Sequence, residues 1–205
     1  MPLQSDASPV DLPHEAVGIF STWYKAAMTD RRIDDANAMA LATADETGLP
    51  SCRMVLLKSF DARGFVFYTN LGSRKGCDLQ ANPRAALCFH WSPLGRQVRI
   101  EGGVTGVTPQ EADSYFASRP RSSQIGAWAS RQSQRLESPS ILLSRIASRT
   151  VQFAAQPVPR PDFWSGYRVR PDRVEFWSEG SFRIHHRRVF ALSADDGWQS
   201  LELFP

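Results

Sequence analysis

The sequence predicts a mainly β protein with peripheral helices (α+β), its strands forming one bent antiparallel sheet. Short runs rich in β-branched and aromatic residues follow one another from Ala38 to Val107, and most of the turns between them are too short for parallel crossovers. Apart from one short helix after Asn70, helical patterns with recognisable start and stop signals flank these runs instead of alternating with them. The paired glycines Gly102 and Gly103 interrupt the last run, which marks a bulge or a strong bend. Five or six bent strands in succession imply a barrel.

Residues 1–12 are polar and proline-containing and are expected to be flexible; residues 13–205 are expected to form one domain. From Pro13 to Met28 the apolar residues Val17, Phe20, Trp23, Tyr24, Ala27 and Met28 recur at helical spacing, so this stretch reads as an amphipathic helix with core aromatics. Arg31–Asn37 is a charged connector. Ala38–Ala44 and Pro50–Ser59 form a hairpin across Asp45-Glu46-Thr47-Gly48, and Phe65–Asn70 follows the turn Asp61-Ala62-Arg63-Gly64. Ser73 is a good N-cap for a short helix that Asn82-Pro83 ends. Ala85–Trp91 and Gln97–Val107 are the next two strands, joined by Ser92-Pro93-Leu94-Gly95; His90 reads as a core or interface histidine.

Thr108-Pro109-Gln110-Glu111 is a capping box with proline at the first helical position, and its helix stops at Arg119-Pro120. Ser118–Ser133 then combines three arginines, five serines and two glutamines with one tryptophan, and reads as ligand-facing, with a solvated interface loop as the other reading. Ser138-Pro139 starts another helix, with Leu142, Leu143, Ile146, Ala147 and Val151 on one face. Gly166–Val169 and Arg173–Trp177 read as separate strands around Arg170-Pro171-Asp172, and Phe182–Leu192 with Trp198–Phe204 as a closing hairpin.

Composition excludes several classes. A formal charge of +3 and a pI near 9.0 are too mild to argue for nucleic acid, and the arginines form no continuous basic helix. No apolar run is long enough to span a membrane and the start carries no signal-peptide pattern, so a cytoplasmic protein is expected. Cys52, Cys77 and Cys88 have neither metal-ligand nor CxxC spacing; they read as reduced, mostly buried thiols, and no metal site is expected. Dinucleotide-binding, Walker A, HExxH and GxSxG motifs are absent.

One local conflict points to a ligand. Arg74 and Lys75 lie in the first turn of the short helix, where cations oppose the helix dipole at a cost of about 0.3–1 kcal/mol each. An anion at that helix start removes the conflict, and Arg53 and Lys58 on the paired strand lie within range of the same place. Two solvated surface cations are the other reading of the pair.

At RMVLLK, FYTNLGSRK, SRPRSSQIGAWASRQS, FWSGYRV and EFWSEGSFRIHHR the chain resembles the pyridoxine (pyridoxamine) 5′-phosphate oxidase family, from about Asp11 to Pro205. The resemblance implies an FMN-binding split β-barrel that forms a homodimer. It also implies oxidation of pyridoxine or pyridoxamine 5′-phosphate at C4′ to pyridoxal 5′-phosphate, with O2 as electron acceptor and peroxide as by-product. Carried over by position, it assigns FMN contacts to Arg53, Met54, Val55, Leu56, Leu57, Lys58, Tyr68, Thr69, Arg74, Lys75, Gln97, Gln132, Ser133, Trp177 and Arg187. It assigns the substrate phosphate to Lys58, Tyr115, Arg119 and Ser123, and the substrate ring to Arg183 and His185, the candidate catalytic pair.

The sequence departs from the family pattern in three respects. A basic and aromatic N-terminal segment that can fold over the substrate is expected to be absent, and Ala7-Ser8-Pro9-Val10 replaces a basic run. His186 stands where an acidic residue is usual, and Ser165 replaces the first of two glycines. A related flavin oxidase of the phenazine-biosynthesis type, and a non-enzymatic binder of flavin or pyridoxal phosphate, are the competing readings.

Overall fold

In the computed structural model, residues 10–195 and 197–205 are described, and they form a curled half-barrel sheet with five helices around it. The chain runs α1 (His14–Thr29), β1 (Ala38–Ala44), β2 (Pro50–Leu56), β3 (Ser59–Asp61), β4 (Gly64–Asn70), α2 (Arg74–Ala81), β5 (Arg84–Trp91) and β6 (Arg96–Gly106). It continues through α3 (Pro109–Ser118), α4 (Arg121–Ala129), α5 (Pro139–Gln152), β7 (Trp164–Ser178), β8 (His186–Ser193) and β9 (Gly197–Glu202). Every strand pair is antiparallel, in the order β2-β1-β5-β6-β7-β4-β3, with β8 and β9 continuing from the second half of β7.

The predicted caps and bend are present. Ser73 accepts from the Gly76 N–H, and Thr108 and Glu111 close the reciprocal capping box. The β6–β7 register shifts at Glu101/Gly102, opposite Pro171, so the glycine pair does mark a bulge. A Cβ on Gly102 would stand 1.9 Å from the Arg170 carbonyl oxygen, so only glycine permits this close approach of the two strands.

α1 closes the barrel. Phe20 is fully buried and meets Phe60, Phe65 and Phe89 edge-on at 4.7, 4.8 and 5.3 Å between centroids. Burying that ring contributes about 2–3 kcal/mol, plus the aromatic contacts. The chain is already anchored at Leu12, which is buried and donates its N–H to the Ala62 carbonyl at 2.7 Å; residues 1–9, the rest of the expected flexible segment, lie outside the described residues. A smaller apolar cluster of Phe116, Ile125, Phe153, Val158 and Trp164 joins the helices α3 to α5 to the start of β7.

Four expectations are corrected. Ser118–Ser133 is not a loop throughout: Arg121–Ala129 is helix α4, anchored by Ile125 and Ala129 and by Gln124, whose amide donates to the Phe116 carbonyl at 2.9 Å. Its nine residues are too few for an apolar period to show. Arg170-Pro171-Asp172 does not break the sheet; β7 runs through it as one strand of 15 residues. Pro171 stands where one edge of β7 changes partner from β4 to β8, the place where a missing ladder donor costs least. Phe182–Ile184 is not strand: Ser181–Arg183 is a 3₁₀ turn, and β8 begins at His186. Finally, Cys52 and Cys77 are exposed and Cys88 is half-buried, because the strand and helix faces that carry them point away from the core.

Candidate functional site

A cavity of about 610 Å³ opens between β2, the end of β4, α3, α4 and the start of β7. Each wall has a local reason. β2 follows a turn that Asp45 ties together, accepting from the Thr47 and Leu49 N–H groups, and it presents Met54 and Leu56 outward. The capping box fixes the start of α3, so that Tyr115 and Arg119 come off its last turn. α4 turns the small residues Ser123, Gly126, Ala127 and Ser130 to the cavity at helical spacing, which leaves room for a ligand.

Lys75 forms one end of the cavity. It is buried, and among the described residues its Nζ reaches only neutral oxygens: Thr69 Oγ1 at 3.2 Å, Gln132 Oε1 at 3.2 Å and Ser73 Oγ at 3.5 Å. Burial pushes its pKa down from the ordinary lysine value, and the neighbouring Arg53 charge adds to the effect. Arg53 itself turns inward: it donates to Thr43 and to the Leu41 carbonyl, bonds Ser51, and lies 3.5 Å from the buried Asp78 carboxylate. Asp78 in turn accepts from Thr43 at 2.6 Å and from Ser51 at 3.1 Å, so β1, β2 and α2 are locked together behind the lysine.

The other end holds Lys58 and Arg119, with Tyr115 and Ser123 beside them. Lys58 Nζ lies 5.9 Å from the Tyr115 ring centroid. Arg119 lies over Trp164 at 4.8 Å and over Phe116 at 5.7 Å, and its Nη1 is buried with no hydrogen-bond partner among the described residues. Tyr68, Tyr115 and Trp164 stack in near-parallel planes, with 4.1 Å between the tyrosine centroids and 5.3 Å from Tyr68 to Trp164. Among the described residues no carboxylate pairs with Lys58, Lys75 or Arg119.

The remaining predicted residues gather elsewhere. Gln97, Trp177 and Arg187 are cross-strand neighbours on β6, β7 and β8. Trp177 packs on His185 at 4.7 Å, and the Gly180 N–H points to His185 Nδ1 at 3.4 Å. Arg187 is held by the buried Glu175, with Nε and Nη2 each 2.8 Å from Oε1. Arg183 is exposed and left-handed at φ 63°, next to Phe182 at φ 56°. Tyr68 pairs with Gly166 near one end of β7, and Trp177 lies near the other end, a separation of about 35 Å along a straight strand.

The cavity therefore takes in Met54, Val55, Leu56, Lys58, Tyr68, Thr69, Lys75, Tyr115, Arg119, Ser123 and Gln132. Arg53 and Leu57 lie behind it, Arg74 is exposed, and Ser133, left-handed at φ 70°, lines a neighbouring cleft. Gln97, Trp177, Arg183, His185 and Arg187 belong to the second group. Sequence reasoning had not singled out Trp164, the Asp78 network or Glu175. A buried acid in a strand alternating with arginines, as in Arg173-Val174-Glu175, was the available signal for the last.

Two family models match the chain: pyridoxamine 5′-phosphate oxidase over residues 27–153, and the pyridoxine 5′-phosphate oxidase C-terminal dimerisation region over residues 164–205. The pyridoxine/pyridoxamine 5′-phosphate oxidase of Rhizobium meliloti (strain 1021) is 50% identical over 192 residues, covering 93% of each chain. Among solved structures, PhzG from Burkholderia lata 383, in complex with tetrahydrophenazine-1-carboxylic acid, superposes with a TM-score of 0.86 at 29% identity, covering 100% of this chain and 98% of that one. A pyridoxamine 5′-phosphate oxidase-related, FMN binding protein from Nostoc punctiforme PCC 73102 shares the fold, with a TM-score of 0.71 at 15% identity over 91% of this chain and 97% of its own. The split-barrel architecture and these matches have one conclusion: the chain belongs to the pyridoxamine 5′-phosphate oxidase family.

Proposed function

We propose that this chain is an FMN-dependent oxidase that converts pyridoxine or pyridoxamine 5′-phosphate to pyridoxal 5′-phosphate with O2, releasing peroxide. The observation that carries the reading is one cavity with two cationic ends, Lys75 at one and Lys58 with Arg119 at the other, neither neutralised by a described carboxylate. Two phosphate-bearing ligands side by side give each end a use. A buried lysine among neutral acceptors and an orphaned arginine nitrogen are what a site built for anions leaves behind when considered alone.

The residues fit the groups they would hold. Lys75, Thr69 and Gln132 would take the flavin phosphate end, and β2 from Met54 to Leu56 would lie along the cofactor. Lys58, Tyr115, Arg119 and Ser123 would take the substrate phosphate. The flavin, when bound, supplies the two-electron acceptor that O2 reoxidises. The chain's own work is to bind, to orient C4′ and to handle a proton. With Nδ1 facing the Gly180 N–H, a neutral His185 carries its proton on Nε2 and offers a donor there; Arg183 adds a second set of donors. Since the Gln97–Trp177–Arg187 group and the cavity lie at opposite ends of β7, a complete site would draw one from each of two copies, which supports a homodimer.

The phenazine-type reading is weaker, because identity is 50% to the Rhizobium meliloti oxidase against 29% to PhzG, and because a substrate without phosphate leaves Arg119 without a partner. The test is an absorbance spectrum of the purified protein followed by anaerobic addition of pyridoxine 5′-phosphate. The flavin band should bleach, and mass spectrometry of the released cofactor should give FMN. A flavin band that this compound leaves unchanged overturns the proposal.

A further inference from the structure

Arg96 over Trp23 and Arg149 over Trp128 also rest on rings, but among the described residues Arg119 alone of the arginines has a buried nitrogen without a hydrogen-bond partner, and it differs most from those held by acids. Arg168 pairs with Asp61 and Glu111, Arg187 and Arg99 with Glu175, and Arg53 with Asp78. Arg119 has no carboxylate among the described residues and is held instead by rings, with Trp164 at 4.8 Å and Phe116 at 5.7 Å. The two kinds of support leave different things free. An acid takes in-plane N–H donors and cancels the charge, whereas an aromatic face contacts the guanidinium plane and takes neither.

Trp164 is itself fixed. It is buried, lies 5.3 Å from Tyr68 at an interplanar angle of 8°, and meets Phe116 edge-on at 5.0 Å. Its backbone is tied by its N–H to the Pro161 carbonyl at 2.9 Å, and its carbonyl accepts from Arg160 at 2.8 Å. A flexible arginine side chain on a rigid indole loses little further freedom when it binds an anion. Both residues line the cavity.

We propose that Trp164 is a positioning residue that sets the preference for phosphorylated substrates, by holding the Arg119 guanidinium with its donors free for the substrate's 5′-phosphate. This rests on the proposed function above. Trp164 touches the guanidinium and acts on the substrate through it.

The test is a double-mutant cycle on the holoenzyme, reading kcat/KM for pyridoxine 5′-phosphate against pyridoxine in wild type, Trp164→Leu, Trp164→Phe, Arg119→Ala and the Arg119→Ala/Trp164→Leu double variant. Trp164→Leu should lower the preference about five- to tenfold, chiefly through KM for the phosphorylated substrate. Trp164→Phe, which keeps a ring face, should lower it about twofold. In the Arg119→Ala background Trp164→Leu should change it no further. An unchanged preference in the single variants, or an equal fall in both backgrounds, overturns the proposal, the latter marking a general packing role. If Trp164→Leu fails to fold, the preference of Trp164→Phe decides by itself. If wild type turns over neither substrate, the functional reading fails, and calorimetric titration with inorganic phosphate still decides this one: Trp164→Phe must weaken binding, and must not do so once Arg119 is alanine.

Discussion

Lys75 is a buried cation whose described partners are all neutral, and this has a pH signature. Burial lowers its native pKa below the 10.5 of the unfolded chain. Between those two values the unfolded chain holds a proton that the native protein has released, so this group makes stability rise with pH across that window. Thermal unfolding of the flavin-free protein, wild type against Lys75→Met, should show wild type gaining on the variant as pH climbs towards 10.5; a flat difference would contradict it. Tyrosines raised by burial act in both proteins and cancel. Arg183→Ala and His185→Ala form a second residue-scale test. Both should keep bound flavin, since neither is among the residues proposed to hold it, and lose turnover, since both are proposed to face the substrate ring; absorbance and steady-state rate read the two, and alanine tolerates the left-handed backbone at Arg183 no worse than arginine. Loss of flavin in either would reassign that residue. The conflict of cations in a helix's first turn made Lys75 legible in the sequence. Arg74 shared that conflict but is solvated, a distinction that needs the direction of each side chain.

At the scale of elements, the β6–β7 bulge sets the bend of the barrel. Gly102→Ala would drive a Cβ into the Arg170 carbonyl and should cost at least about 2 kcal/mol, whereas Gly103→Ala meets nothing within 4 Å and should lie within about 0.5 kcal/mol of wild type. Urea unfolding of both variants checks the pair; equal losses would show that the bend does not depend on that close approach. The glycine pair, the capping box and the Ser73 cap were all readable, because each is a local device whose physics involves near neighbours in the chain. The continuity of β7 was not readable. Pro171 looks like a turn until both edges of the strand are known, and only the sheet says that β4 ends and β8 begins there. α4 was hidden for another reason: its anchors are Ile125, Ala129 and a glutamine bonded to the preceding helix, and none of these makes an apolar stripe.

For the whole molecule, the two groups of candidate residues cannot meet within one chain whose β7 separates them. Apolar surface lies open beside each: Phe182 is 96% exposed and Phe204 94% exposed near the Arg187 group, and Met54 64% exposed at the cavity. A second copy covering these surfaces would bring the groups together and bury the apolar residues at once. Sedimentation should therefore give a dimer, and dilution into monomers should release flavin. A monomer that binds flavin tightly would refute that arrangement. No helix among the described residues is long and apolar enough to cross a membrane.

By itself the sequence determined what depends on neighbours along the chain: most of the strands and helices, their caps, the bulge, and the presence of two sets of cations with the residues to accompany them. Only the tertiary structure decided which of those side chains share a space. Thr69, Lys75 and Gln132 converge across the sheet and the helical layer, while Gln97, Trp177 and Arg187 converge at the far end of the same long strand. Periodicity says which face a residue occupies, but not what stands opposite that face. What stands opposite is set by the register of strands far apart in sequence and by how the curled sheet meets its helices, and so is the unpaired state of Arg119 against Trp164.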